Sequence, residues 1–139
     1  MIKSPRSPYD RVGDLVYFAR MLDKIRLHRA GSLRSDYHQN LGAGFDGRYT
    51  RYLHVDYAKL VDRVNHGGSD EEILEWCFAT GRRLNAEEVF VWNQFMTKRG
   101  LKDDASEELE DYKLAAGLSH RRDINTFFEF FEIDDGRKA

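Results

Sequence analysis

The residues whose types and spacing could do chemistry fall between positions 23 and 48: Asp23 and Arg26, then Tyr37, His38, Asn40, Asp46 and Arg48. Arginine forks match carboxylates and phosphates, so Arg26 and Arg48 are candidate anion contacts, with Tyr37, His38 and Asn40 as further donors. His38, beside Asp36, is a candidate general base that Asp46 would orient. No second histidine stands at ligand spacing from it, so no metal site is expected. A plainer reading competes: Arg26 staples the following loop to its helix through Asp46 or backbone carbonyls, and His38 is a hydrogen-bonding fixture. Magnitudes show why Arg26 matters either way. Its i,i+3 pair with Asp23 contributes only about 0.2–0.5 kcal/mol, whereas a buried charge without its partner costs roughly 3–5 kcal/mol. An inward Arg26 therefore demands an acceptor outside its own helix.

The element that must position Arg26 is the stretch VGDLVYFARMLDKIRLHRA, Val12–Ala30, the longest helical pattern in the chain. At about 100° per residue, Leu15, Phe18, Ala19, Leu22 and Ile25 share one sector. Arg26 falls in its middle, Arg29 on its flank and Asp23 at its edge. The helix is expected to start near Tyr9–Arg11 and to stop at Gly31, although Gly13 weakens its beginning. Pro5 and Pro8 make positions 1–9 an extended arm. From Ser32 to Tyr49 periodicity disappears, and Gly42, Gly44 and Gly47 mark a long loop, anchored by Leu33, Tyr37, Leu41 and Phe45.

Further along, helix signals are regular. A short helical turn is expected over Tyr49–Leu53. Asp56 can cap a helix over Tyr57–Asn65. Ser69 with Glu72, and Asn85 with Glu88, are capping boxes for helices ending at Gly81 and at Arg99–Gly100. A helix opened by Asp103 or Asp104 runs to Gly117, and a last one spans about His120–Glu132. The fold expected is all-α: one domain over residues 1–139, an orthogonal bundle of about six helices with a long Gly-rich loop at 32–49. AEEVFVWNQFMTKR is apolar nearly all round and is expected at the bundle centre, with Asn93 a satisfied core polar group or a partner of Arg26. Cys77, Trp76 and Trp92 read as core. Ile124, Phe127, Phe128 and Phe131 form one stripe, leaving Phe130 and Ile133 as surplus apolar residues.

Composition narrows the classes. At 41% apolar, the chain is long enough for one core without staples. A lone cysteine excludes an internal disulfide and CxxC metal knuckles. HExxH, P-loop, GxSxG and strand-linked GxGxxG patterns are absent, and no cofactor is expected. No apolar run suggests a secretory signal or membrane span, so a cytoplasmic location is expected. Residues 1–66 hold 12 Lys+Arg against 7 acids, while residues 67–139 hold 10 against 17. The segment RYTRYLHVDY interleaves Arg48, Arg51 and His54 with Tyr49, Tyr52 and Tyr57, a pattern able to stack bases. The net charge of −2 and the lack of a nucleic-acid motif argue against that partner.

The strings SPYDRVGDLVYFARMLDKIR, DYHQNLGAGFD, GGSDEEILEWCF and WNQFMTKRG together resemble a bacterial family of small proteins catalogued as domain of unknown function 5069. The resemblance covers nearly the whole chain. It implies bacterial origin and stand-alone occurrence, and no mechanism, because the family has no assigned activity. Its characteristic residues coincide with Asp23, Lys24, Arg26, Tyr37, His38, Asn40 and Asp46.

These residues support first a module binding a small anionic molecule, in a pocket between the first helix and the 32–49 loop. An enzyme using His38 and Asp46 as an acid–base pair is the first alternative. A domain that self-associates, through Phe130 and Ile133 or through its basic and acidic halves, is the second.

Overall fold

In the computed structural model, which describes residues 1–139, the chain opens as an extended arm whose Lys3 pairs with Leu33 in a parallel bridge. A two-residue hairpin follows, β1 (Arg11–Val12) against β2 (Leu15–Val16), with Val12 opposite Leu15. Seven helices come next: α1 (Phe18–Arg29), α2 (Gly44–Leu53), α3 (Tyr57–Asn65), α4 (Asp70–Thr80), α5 (Ala86–Lys98), α6 (Ser106–Ala115) and α7 (Phe127–Asp134). A six-residue 3₁₀ turn, Ser35–Asn40, lies between α1 and α2. No helix is long and apolar enough to cross a membrane.

The fold is mostly helical, as expected, and α1 ends just before Gly31 at φ 71, but it departs from the sequence reading at the start of α1 and in the segment that follows. Leu15 reaches the core from a strand, and the helix starts only after Tyr17, held at φ 68. Asp14 and Gly13 also take positive φ, which turns the hairpin and stops helical continuation backwards. The 32–49 loop is largely helical: the 3₁₀ turn fills its first half, and α2 begins at Gly44 rather than at Tyr49. Local signals fared better downstream. Asp56 caps α3, and both capping boxes form at α4 and α5. Thr126 caps α7 by accepting from the Glu129 N–H, so the last helix starts later than the apolar pattern suggests.

The bundle centre is α1, not α5. Phe18, Ala19, Arg20, Met21, Leu22, Lys24 and Ile25 are all buried, leaving its first two turns almost no solvent face, while His28 and Arg29 in the last turn are exposed. Helix α5 instead exposes Phe90 (60%) and Val91 (53%) on its outer side. The hairpin packs on α5 and α4, α1 on α3, and α5 on α7. Asn93 fixes the hairpin, accepting from the Val16 N–H and donating to the Asp14 carbonyl. Gly81 permits the closest approach in the fold, since a Cβ there would lie 1.9 Å from the Leu53 carbonyl oxygen. A smaller second core joins Ala105, Leu109, Ile124, Phe127 and Phe130, with Phe45 and Phe131 bridging it to the first. Phe130 belongs to that core and is not surplus.

Candidate functional site

Burying α1 on nearly all sides forces its charges to find partners inside. Lys24 Nζ lies 2.8 Å from Asp46 Oδ2 on α2. Asp46, with no exposed surface, also accepts from the Tyr17 hydroxyl at 2.8 Å and the Gly42 N–H at 3.3 Å. It sits in the first turn of α2, where the helix dipole favours an anion. Burial, and then Asp46, push the Tyr17 phenol well above its ordinary pKa.

One turn earlier on α1, Arg20 pairs with Asp135 just past α7 and donates to the Arg6 carbonyl. Burial opposes the charged guanidinium, yet Asp135 more than compensates, and its pKa rises. Asp135 also meets Tyr37 and Arg137. Arg137 goes on to Glu132 and to the Pro5 carbonyl, and Ser7 donates to Glu132. This network ties the N-terminal arm, α1, the 3₁₀ turn and the C-terminus together.

The residues singled out from the sequence do not converge. Arg26 is bonded outside its own helix, to Asp70 at 2.7 Å, but its side chain is 36% exposed rather than largely buried. The helical phase explains the error: because α1 is surrounded, Arg20 and Lys24 turn inward too, and Arg26 falls at the rim. Asp23 accepts from the Arg6 backbone N–H. Tyr37 belongs to the Asp135 network, and Asn40 lies beside the Tyr112 hydroxyl. The Nε2 of His38 meets the Leu33 carbonyl at 3.1 Å, so that nitrogen carries the proton. Its ring stands edge-on to His28. No hydrogen bond or ion pair joins His38 to Asp46, whose acceptors are committed to Lys24, Tyr17 and Gly42. The acid–base pair is therefore not assembled. No group of three His, Cys, Asp or Glu side chains is placed to hold a metal ion. Cys77 is buried, and burial raises its thiol pKa to about 12, far from a reactive thiolate.

Two of the surface recesses adjoin α1 or α2. One, of about 410 Å³, lies beside α1 and α3 and is lined by Ile25, His28, Arg29, Leu41, Tyr57, Val61 and Asn65. None of the seven expected ligand contacts contributes to it. The C-terminal ends of α1 and α3 both converge there, and Arg29 already donates to the Asn65 carbonyl. Two helix C-termini bring roughly half a negative charge each, which offsets Arg29 and makes this a poor home for an anion.

The second recess is a shallow groove of about 450 Å³ between α2 and α5, lined by Arg48, Arg51, Tyr52, Val91, Trp92 and Phe95. Its floor is a stack: the Arg82 guanidinium covers one face of Tyr52 at 4.4 Å, and Trp92 covers the other at 4.2 Å and 8°. Arg48 lies over Phe95. Neither the Arg48 nor the Arg51 side chain makes an ion pair or hydrogen bond within the chain. Asp104, whose ionisation Arg48 assists, is paired with Arg99.

A family model described as Domain of unknown function (DUF5069) matches residues 2–137 of the chain. The chain belongs to the DUF5069 family. No curated protein matches it.

In this DUF5069 chain the sequence signal for the groove was present in the segment Arg48–Tyr57, where cations alternate with aromatics. What it could not supply was the opposite wall, because Val91, Trp92 and Phe95 reach the groove only through packing of α5. Arg20 was missed, and Lys24 entered only through the family resemblance, for a different reason. Their i,i+4 spacing puts them on one face, but a charged face on a helix ordinarily looks to water.

Proposed function

We propose that this protein is a binding module whose site is the groove between α2 and α5, and that its ligands are organic anions, a carboxylate or phosphate carried on an apolar body. The observation that supports this best is the pair Arg48 and Arg51. They are neighbours on α2, neither forms an ion pair with a carboxylate of the chain, and both line a groove whose other residues are apolar or aromatic. A guanidinium with uncommitted donors beside a ring is suited to planar anions. The groove also falls within the roughly 300–1,000 Å³ of ligand sites. The stacked Arg82, Tyr52 and Trp92 give it a rigid base. This keeps the anionic ligand and the Arg48 contact read from the sequence, and moves the site away from α1.

The test is titration with anilinonaphthalene sulfonate, an aromatic anion that fluoresces on binding apolar sites. Saturable binding to the native protein should be lost in Arg51→Glu and kept in Arg29→Met, which alters only the recess beside α1. Binding that survives Arg51→Glu and disappears in Arg29→Met would place the site at the other recess and defeat the proposal. Absence of saturable binding would defeat it as well.

A further inference from the structure

We infer that in solution the groove is occupied by helix α6 of a second copy of this chain, in a head-to-tail contact; the inference rests on the groove being an anion-binding surface. Helix α6, SEELEDYKLA, buries Leu109 and Lys113 against the second core and turns an acidic stripe outward. Glu107, Glu108 and Asp111 are exposed and have no cation within the chain, while Glu110 is paired with Lys113. The same stripe ends in Leu114, a large apolar side chain left 70% exposed. Away from the N-terminal arm, the large exposed apolar residues are few: Phe90 and Val91 on α5, Leu114 on α6, and Leu101 between these helices. Of these, Val91 lines the groove and Leu114 lies on α6.

The spacings of those surfaces agree. Arg48 and Arg51 are i,i+3 neighbours on α2, and Glu107 and Asp111 are i,i+4 neighbours on α6, so each pair has side chains about 5–6 Å apart. Leu114, three positions beyond Asp111, would reach Val91 and Phe95 on the groove floor, as apolar anchors do when a helix lies in a groove. An α6 anchored through Leu109 cannot turn this stripe onto its own groove, so the partner is another molecule. Single-stranded nucleic acid fits less well. Base stacking needs an open ring face, but Tyr52 is covered on both sides and Trp92 is only 5% exposed.

Because groove and α6 are different patches, the contact is heterologous, and a dimer keeps one free groove and one free α6, so growth can continue. Sedimentation velocity from micromolar to millimolar protein should show mass growing beyond 16.3 kDa, more at low salt than at high salt. Arg51→Glu and Asp111→Arg should each remain monomeric. Mixing the two monomeric variants should restore growth with the two variants alternating, since an intact groove then meets an intact α6 and the two reversed patches also match in charge. The double variant Arg51→Glu/Asp111→Arg should associate again. A wild type that stays monomeric at low salt, association indifferent to both charge reversals, or a single-stranded oligonucleotide bound in an Arg51-dependent way would each overturn the inference. The dye titration keeps the two ideas apart. A monomeric wild type whose dye binding still depends on Arg51 leaves the groove standing and removes only the second copy.

Discussion

Two pairs of cations, each one helical turn apart, are treated in opposite ways. On α1, Arg20 and Lys24 are buried, and each is answered by a carboxylate with no exposed surface, Asp135 and Asp46. On α2, Arg48 and Arg51 are exposed and unanswered. The first pair is architecture: removing water from those charges is tolerable only because partners are fixed by the fold, and such ion pairs lend specificity more reliably than stability. The second pair is surface chemistry held ready, with every donor available to something outside the chain. Paired charges therefore point to how the molecule is assembled, and unpaired ones to what it can meet. That contrast can be broken or sharpened by substitution.

The largest effect belongs to Lys24. Lys24→Met keeps the stem but leaves Asp46 buried with only Tyr17 and Gly42 as donors, so urea unfolding should show a loss of roughly 3–5 kcal/mol. Adding Asp46→Leu should recover part of it, because the orphaned charge disappears as well. A single variant as stable as wild type would show that the buried pair is not structural.

Next comes alkali. Burial raises the phenols of Tyr17 and Tyr49 well above their ordinary value. A pKa raised by folding stabilises the protein fully below the unfolded value of about 10, and that contribution is lost as pH climbs toward the folded value. Each such phenol should cost about 1.4 kcal/mol per pH unit above ~10. Phenolate absorbance and helical circular dichroism should therefore change together in one steep transition. Gradual ionisation of all seven tyrosines with the helices intact would contradict the burial of this network.

These effects also show what the sequence could and could not reveal. Caps at Asp56, Ser69 and Asn85 were legible because both partners of each cap lie within three residues. Thr126 with Glu129 has the same three-residue spacing, but it lies within the apolar stripe that starts at Ile124 and mimics a helix already under way. The hairpin was illegible, since two-residue strands have no periodicity to detect, and its Val12 and Leu15 mimic helical spacing. The candidate site was half legible. Arg48 and its aromatic neighbours sit in one short segment, but Asp46, Lys24 and Tyr17 meet only through the crossing of α1 and α2, and a pattern on one helix cannot report which helix surrounds it.

A smaller effect is expected at Arg26, the residue that the pattern placed inward. Its partner Asp70 also receives Arg6, so Arg26→Met leaves that carboxylate one guanidinium and a route to water. Partly exposed pairs of this kind contribute at most about 1 kcal/mol. A loss as large as that of Lys24→Met would mean that the rim of α1 is as tightly enclosed as its centre.

The smallest effect, and the one that most sharpens the contrast, is at Arg51. Nothing within the chain depends on its charge, so Arg51→Ala should shift stability by no more than about 0.5 kcal/mol, as surface substitutions away from caps and cores do. Relief of repulsion from Arg48 would even favour a slight gain. If charge in the groove serves recognition, the same variant must lose anion binding while its melt stays unchanged, a separation that Lys24→Met cannot show because its fold fails first. Denaturation curves and dye titrations on one preparation decide it. A destabilised Arg51→Ala would mean that the arginine holds α2 to α5, and the unanswered pair would then be architecture like the first.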